Sequence, residues 1–325
     1  MTISLADIQA AAGRLKGLAV ETPLIESPAL NERLGGRVLL KPETLQRAGA
    51  FKFRGAYNRL SQLNDAEKAR GVVAFSSGNH AQGVALAAKL LEIPALIVMP
   101  SDSPAVKVEG TKGFGAEIRF YDRFTEDRIS IADQIAAERG CTVVPSYDDP
   151  HIIAGQGTLG IEIIEQAKAL GVELDRVLSP VGGGGLIAGT STAVKGLSPS
   201  TEVWGAEPAG FDETRRSLES GDRETIDKDA RSICDALLTP IPGELTWPIN
   251  SKTLSGIVAV TDAEVAEAMR YAFGTLKLVV EPGGCVALTA ALTGKIDVAG
   301  KTVAIVLSGG NVDPGLFAQI LRGEI

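Results

Sequence analysis

A chain of 325 residues is longer than one ordinary small core organises, which predicts two domains. With 45% hydrophobic and 22% charged residues it has the balance of a soluble globular protein, which excludes intrinsic disorder. A net charge of −8 without any basic block argues against nucleic acid or an anionic membrane as a partner. The start, Met1-Thr2-Ile3-Ser4-Leu5-Ala6-Asp7, has no positive n-region and no apolar h-region, so no signal peptide is expected. Apolar runs such as Ala95 to Met99 are too short to span a bilayer. Cys141, Cys234 and Cys285 are odd in number and far apart. They form neither a disulfide framework nor a metal spacing, and a reducing, cytoplasmic location is expected.

Short β-branched runs alternate with helical patterns along the chain. Val72 to Phe75 predicts a strand, followed by a helix from about Ala81 to Leu91. Ala95 to Met99 precedes a helix from about Pro104 to Phe114, and Glu117 to Tyr121 precedes one from about Thr125 to Arg139. Thr142 to Val144 closes that block. Later strands are expected at Val177 to Val181, Glu202 to Ala206 and Val303 to Leu307. The pattern is α/β with mostly parallel sheets flanked by helices. The expected division is a large domain of residues 1–70 and 149–325, with a small domain of residues 71–148 inserted into it. Ser217 to Ala230 reads as a surface excursion.

Several segments carry chemistry. Lys52 stands between Phe51 and Phe53; apolar neighbours disfavour its charged form, lower its pKa and make its amine nucleophilic. A solvated surface lysine is the competing reading. Ser76-Ser77-Gly78-Asn79-His80 follows a strand and opens a helix, a turn that can take a carboxylate or simply cap the helix. Four consecutive glycines, Gly182 to Gly185, lie between an expected strand and a helix beginning at Leu186. Without Cβ atoms, backbone N–H groups approach an anion closely, and the helix end adds positive potential, which suits a phosphate. The glycines lack the dinucleotide spacing and no Walker lysine follows them, so a smaller phosphorylated cofactor is favoured over a nucleotide. Ser308-Gly309-Gly310-Asn311 ends the last strand, where ligands of open α/β sheets collect.

Five segments occur together and in order: Phe51-Lys52-Phe53-Arg54-Gly55-Ala56, Ser76 to His80, Gly155-Gln156-Gly157-Thr158, the tetraglycine and Ser308 to Asn311. In this the chain resembles the serine/threonine dehydratase and serine racemase family of fold-type II enzymes, related in fold to the tryptophan synthase β subunit and dependent on pyridoxal 5'-phosphate. The resemblance runs from about Thr22 to Asn311. It implies that Lys52 carries the cofactor as a Schiff base, Phe51 lines its ring, and Gly182, Gly183, Gly184 and Gly185 hold its phosphate. Asn79 would bond the ring hydroxyl, and Ser308 would meet the ring nitrogen, leaving it largely unprotonated. Ser76, Ser77 and His80 would face the substrate carboxylate, joined by Arg128 when the domains close. Ser77 would also stand across the ring from Lys52, where a racemase keeps its second acid/base.

The implied activity is ammonia release from a β-hydroxy amino acid such as L-threonine, L-serine, 3-hydroxyaspartate or phenylserine, giving a 2-oxo acid. A serine or other amino-acid racemase on the same scaffold is the alternative, and a non-catalytic carrier of pyridoxal phosphate or phosphate is a third. Glu207, the Phe211 carbonyl and Glu213 resemble the family's divalent-cation site, an oxygen-only set suited to Mg²⁺ or Ca²⁺. The resemblance further implies a homodimer with a small-molecule amino-acid substrate. The regulatory domain that follows the catalytic one in biosynthetic threonine deaminases is not expected. The chain departs from the family pattern at Ala50, often serine, at Ala236, commonly glycine, and at Cys285, usually a small residue.

Overall fold

Two sheets face each other across a cleft, and helices cover both of their faces. The structure, a computed structural model, describes residues 3–76, 78–103, 105–122 and 124–325. The strands are β1 (Ile25–Glu26), β2 (Arg37–Pro42), β3 (Val72–Phe75), β4 (Ala95–Pro100), β5 (Glu117–Tyr121), β6 (Thr142–Val143), β7 (Arg176–Pro180), β8 (Glu202–Pro208), β9 (Gly256–Val260) and β10 (Thr302–Leu307). The larger sheet has the order β1-β2-β10-β7-β8-β9, with β1 antiparallel to β2 and every other pairing parallel. The smaller sheet is wholly parallel, with order β5-β4-β3-β6.

Central strands such as β10 are buried on both faces, because crossover helices cover a parallel sheet from either side. This accounts for the unbroken apolar runs Val303 to Leu307 and Val72 to Ala74, all essentially without solvent exposure. The connecting helices start where their capping chemistry places them. The Asp149 carboxylate accepts the His151 and Ile152 N–H groups at 2.8 and 3.0 Å, and Pro150 opens the Pro150–Ala169 helix. Asp127 does the same for Arg128–Arg139, so this helix begins three residues later than the expected Thr125. The expected helix start at Pro104 lies outside the described residues.

The strand orders locate the site. In the larger sheet the chain proceeds from β7 to β8 and β9 on one side, while β10 returns to the other side of β7. In the smaller sheet, β3 leads to β4 and β5 on one side and β6 lies on the other. Such reversals open a crevice at the carboxyl ends of the flanking strands. Here the two crevices face one another, and the segments after β3, β6, β7 and β10 line one common cavity of about 420 Å³.

Expectations for β3, β4, β5, β7, β8 and β10 match the observed strands to within two residues at each end. Strands β1, β2 and β9 were not anticipated. The stretch from Ser217 is not wholly a surface excursion, since Ser217 is buried within the Glu213–Ser220 helix. No helix among the described residues is long and apolar enough to cross a membrane.

Candidate active site

Lys52 begins the Lys52–Leu60 helix, and its Nζ reaches into the cavity, donating to the Ser146 carbonyl at 2.6 Å. The Phe51 ring centroid lies 5.2 Å from the ammonium. Burial pushes the Lys52 pKa down to about 8, with nearby Glu281 partly offsetting it. Lys52 is half-buried, and its amine lies inside the cavity rather than on the outer surface.

Opposite stand the four glycines at the end of β7. Gly184 has φ +88°, a backbone region that disfavours side chains, and a Cβ there would fall 2.5 Å from Asn250 Nδ2. A Cβ on Gly183 would fall 2.5 Å from the Tyr147 ring. Thr246 Oγ1 donates to the Gly183 carbonyl at 2.7 Å and Asn250 Nδ2 to the Gly184 carbonyl at 3.3 Å. Carbonyls are thus held from behind, while the N–H groups of Gly182, Gly183, Gly184 and Gly185 meet no acceptor among the described residues. They stand at the start of the Gly185–Leu197 helix, whose dipole favours an anion at the same point.

The turn after β3 supplies the third wall. Ser76, Gly78, Asn79 and His80 all line the cavity; Ser77 lies outside the described residues. Asn311 Nδ2 donates to Asn79 Oδ1 at 2.8 Å, and Asn79 Nδ2 donates to the buried Glu281 carboxylate. This fixes which way the Asn79 amide faces. Its second N–H stays available for a ligand. Burial, with Asp235 adding to it, raises the Glu281 pKa to about 7. The His80 ring is held neutral by burial and by the Lys52 charge, its pKa lowered to about 3. Because a carbonyl only accepts, His80 Nε2 must donate to Val144 O, at 2.9 Å. Its Nδ1, buried without a partner, therefore presents a lone pair. That corrects one expectation: the ring has no donor left for a substrate carboxylate. The N–H groups opening the Asn79–Leu90 helix are suited to that contact instead.

Ser308, at the end of β10, is 4% exposed and faces the cavity. Arg128, the first residue of its helix, lines the opposite rim with its guanidinium 5.6 Å from the Phe75 ring centroid. No described carboxylate pairs with it: Glu126 bonds Arg119, and Asp127 caps the helix.

The segment Gly155-Gln156-Gly157-Thr158 is not at the cavity. It lies mid-helix, where a Cβ on Gly155 would fall 2.6 Å from the Gly55 Cα. Gln156 Oε1 accepts the Gly55 N–H at 3.1 Å. These residues let the Pro150–Ala169 helix pack tightly behind the Lys52 helix. There, Arg54 pairs with Glu43 at 2.7 Å and with Glu162, and Lys41 pairs with Glu162 at 2.6 Å, a buried cluster whose charges are mutually compensated.

Glu207 and Glu213 lie elsewhere, at the end of β8 and the start of the Glu213–Ser220 helix. Glu207 accepts the Thr214 and Arg215 N–H groups at 3.1 and 2.9 Å. Both Glu213 carboxylate oxygens are buried without a described partner. Burial drives the two pKa values up, to about 8 for Glu207 and about 9 for Glu213, and the Glu207 charge adds to the effect on Glu213. Two carboxyls held this way suit a hard cation between them. No cluster of three or more His, Cys, Asp or Glu side chains suited to a metal occurs among the described residues.

Sequence reasoning missed Tyr147, Lys107, Asp235 and Glu281 as cavity residues. Only Glu281 left a local mark, a polar residue before Pro282 at a helix start. Of the departures from the family pattern, Ala236 lines the cavity, whereas Cys285 is fully buried in the core.

Comparison with known proteins places this geometry. The family model described as pyridoxal-phosphate dependent enzyme matches residues 15–309. An L-threo-3-hydroxyaspartate ammonia-lyase from a Pseudomonas species is 45% identical over 317 residues, covering 98% of each chain. A solved threonine deaminase, from the organism abbreviated T.th., superimposes with a TM-score of 0.90 at 43% identity, covering 95% of this chain and 99% of that one. A maize serine racemase structure gives 0.92 at 36% identity, covering 100% and 98%. The resemblance and the fold class drawn from the motifs agree with these findings.

Proposed function

The chain belongs to the pyridoxal-phosphate dependent enzymes, and from that membership we propose that it is an ammonia-lyase converting a β-hydroxy amino acid to a 2-oxo acid and ammonia. The observation that carries the reading is the Lys52 amine in one cavity with the unpaired N–H groups of Gly182 to Gly185. A Cβ on these glycines would meet Leu237, Tyr147, Asn250 or Thr246, so glycine alone lets the turn present its N–H groups, and the cradle fits a phosphorylated pyridine aldehyde. Bound there, pyridoxal phosphate supplies an electron sink for charge left at the substrate Cα.

The chain's own groups then divide the work. Gly182, Gly183, Gly184 and Gly185 would hold the phosphate, Phe51 would pack against the ring, and Asn79 would donate its free N–H to the ring hydroxyl. Ser308 offers a neutral hydroxyl, not a carboxylate, to the ring nitrogen. Lys52 would anchor the aldehyde, and its Nζ would be the group to take the proton from Cα, a transfer favoured by a pKa near working pH. The substrate carboxylate lies at the Ser76–Asn79 turn, and Arg128 approaches it from the rim with a planar fork suited to two hydrogen bonds. Closing residues 71–148 over the cleft as a mobile unit would exclude water from the reacting centre.

The same proposal includes Mg²⁺ or Ca²⁺ between Glu207, the Phe211 carbonyl and Glu213, supported by the unpartnered Glu213 oxygens. It also includes a cytoplasmic homodimer, supported by the family resemblance and the unpaired cysteines.

Incubation of the holoenzyme with L-serine, L-threonine and L-threo-3-hydroxyaspartate tests the reading. The expected result is equal amounts of ammonia and 2-oxo acid from at least one of them. Absence of ammonia from all three, with D-isomer accumulating in the recovered substrate, would establish a racemase instead.

A further inference from the structure

Lys107 is a cavity cation that the reaction outlined above leaves without a task. It lies on the Ala105–Gly113 helix beside the smaller sheet and is 8% exposed. Its ammonium pairs with Asp235 on the Asp235–Leu237 turn, which belongs to the side of the cleft formed by the larger sheet. Both side chains line the cavity. A Cβ built on Gly78 would lie 3.9 Å from Lys107 Nζ. The ammonium therefore hangs over the turn that receives the substrate carboxylate. It is also close enough to Glu281 for its charge to be felt there, as Asp235 is from the opposite sign.

The two partners are held very differently. A nearly buried ammonium requires a carboxylate beside it. Asp235 requires little, because 49% of its side chain meets solvent. It can turn outward at small cost, whereas Lys107 cannot leave. A second ligand carboxylate, beside the one received at the Gly78–Asn79 turn, would satisfy the ammonium in Asp235's place. The other cavity carboxylates are committed elsewhere: Asp148 accepts the N–H groups of Glu244, Leu245 and Thr246, and Glu281 accepts from Asn79 Nδ2.

We infer that Lys107 is a specificity-determining residue that reads the end of the substrate side chain. Asp235 is its resting partner, and the site prefers a β-hydroxy amino acid carrying a second carboxylate. In such a substrate the second carboxylate is two carbons from the first, so both are reached when one sits at the Ser76–Asn79 turn and the other at Lys107. A neutral side chain leaves the Lys107–Asp235 pair intact and gains nothing from it. Discrimination is set by how much better the ligand carboxylate pairs with the nearly buried ammonium than the half-exposed Asp235 does.

The inference rests on the ammonia-lyase reading, and steady-state kinetics of the holoenzyme separate the two. The wild type is expected to show a higher kcat/KM for L-threo-3-hydroxyaspartate than for L-serine. In Lys107→Met the ratio of the two kcat/KM values should fall by about tenfold or more, chiefly through the KM for the dicarboxylic substrate. Asp235→Asn removes the competing carboxylate and should lower that KM. Calorimetric binding of L-aspartate, which has no β-hydroxyl to lose, should weaken in Lys107→Met relative to L-alanine. A wild-type preference for L-serine overturns the inference and leaves the lyase reading standing. So does an unchanged ratio in Lys107→Met, or a raised KM in Asp235→Asn. No ammonia from either substrate overturns both.

Discussion

The cavity between the sheets and the Glu207–Glu213 turn are mirror images in their hydrogen bonding. At the cavity, the N–H groups of Gly182 to Gly185, the free Asn79 N–H and the Arg128 guanidinium are donors without described acceptors. At the turn, the two Glu213 oxygens are acceptors without described donors. The first arrangement suits anions, namely a phosphate and a carboxylate; the second suits a cation. Contrast both with the cluster behind Lys52, where Arg54 and Lys41 against Glu43 and Glu162 leave no charge unmatched. Compensated charge builds the scaffold, and uncompensated charge marks where a ligand goes.

The comparison can be broken most severely at its reactive amine. Lys52→Ala is expected to reduce kcat by about a thousandfold or more while leaving the fold intact. Circular dichroism and ammonia release measured on the same sample check this, and substantial residual activity would move the chemistry to another residue.

A smaller effect is expected at the donors. Gly183→Ala drives a methyl group to 2.5 Å from the Tyr147 ring, displacing the loop that presents the N–H groups. Losing one charge-assisted contact costs about 1.5–3 kcal/mol, so the dissociation constant for pyridoxal phosphate should rise at least tenfold in a fluorescence titration. Unchanged affinity would mean that the phosphate lies elsewhere.

The acceptor side gives the smallest effect, and its sign is fixed by linkage. Folded-state pKa values of about 8 and about 9 stand above the ordinary 4.5, so the cation-free fold binds protons that the unfolded chain has released. That contribution to stability is fully present below pH 4.5 and is lost as pH rises through about 8 to 9. In chelator, the melting temperature should therefore decline on going from pH 6 to pH 9, and Glu213→Gln should flatten the decline. Mg²⁺ or Ca²⁺ should restore stability at pH 8 in proportion to the logarithm of its free concentration. A melting curve indifferent to both chelator and cation would leave the turn as a pair of protonated carboxyls.

How much of this was legible in the sequence depended on whether a feature is local. The glycine turn after β7 was legible because a loop that exposes backbone N–H groups leaves a compositional mark, the loss of four Cβ atoms between a strand and a helix. Strands such as Val72–Phe75 and Thr302–Leu307 were legible because burial on both faces demands unbroken apolar residues. Arg37–Pro42 was not, since its Lys41 is a charge buried by partners contributed from Thr22, Glu162 and Gln166, far away in the chain. The segment Gly155 to Thr158 was recognised as a family mark, but its physical task, a close helix crossing behind Lys52, required the packing to be seen. His80 was placed in the right wall with the wrong chemistry, because the state of its ring is set by Val144, 64 residues on. Lys107 and Asp235 owe their place in the cavity to the meeting of distant segments, and no local pattern announces that.

Borohydride reduction of the holoenzyme followed by peptide mass mapping tests the central claim most directly. The account predicts a single pyridoxyl group, on Lys52 in the peptide bearing Phe51 and Phe53. A label on another lysine, Lys107 included, with Lys52 unmodified would contradict it.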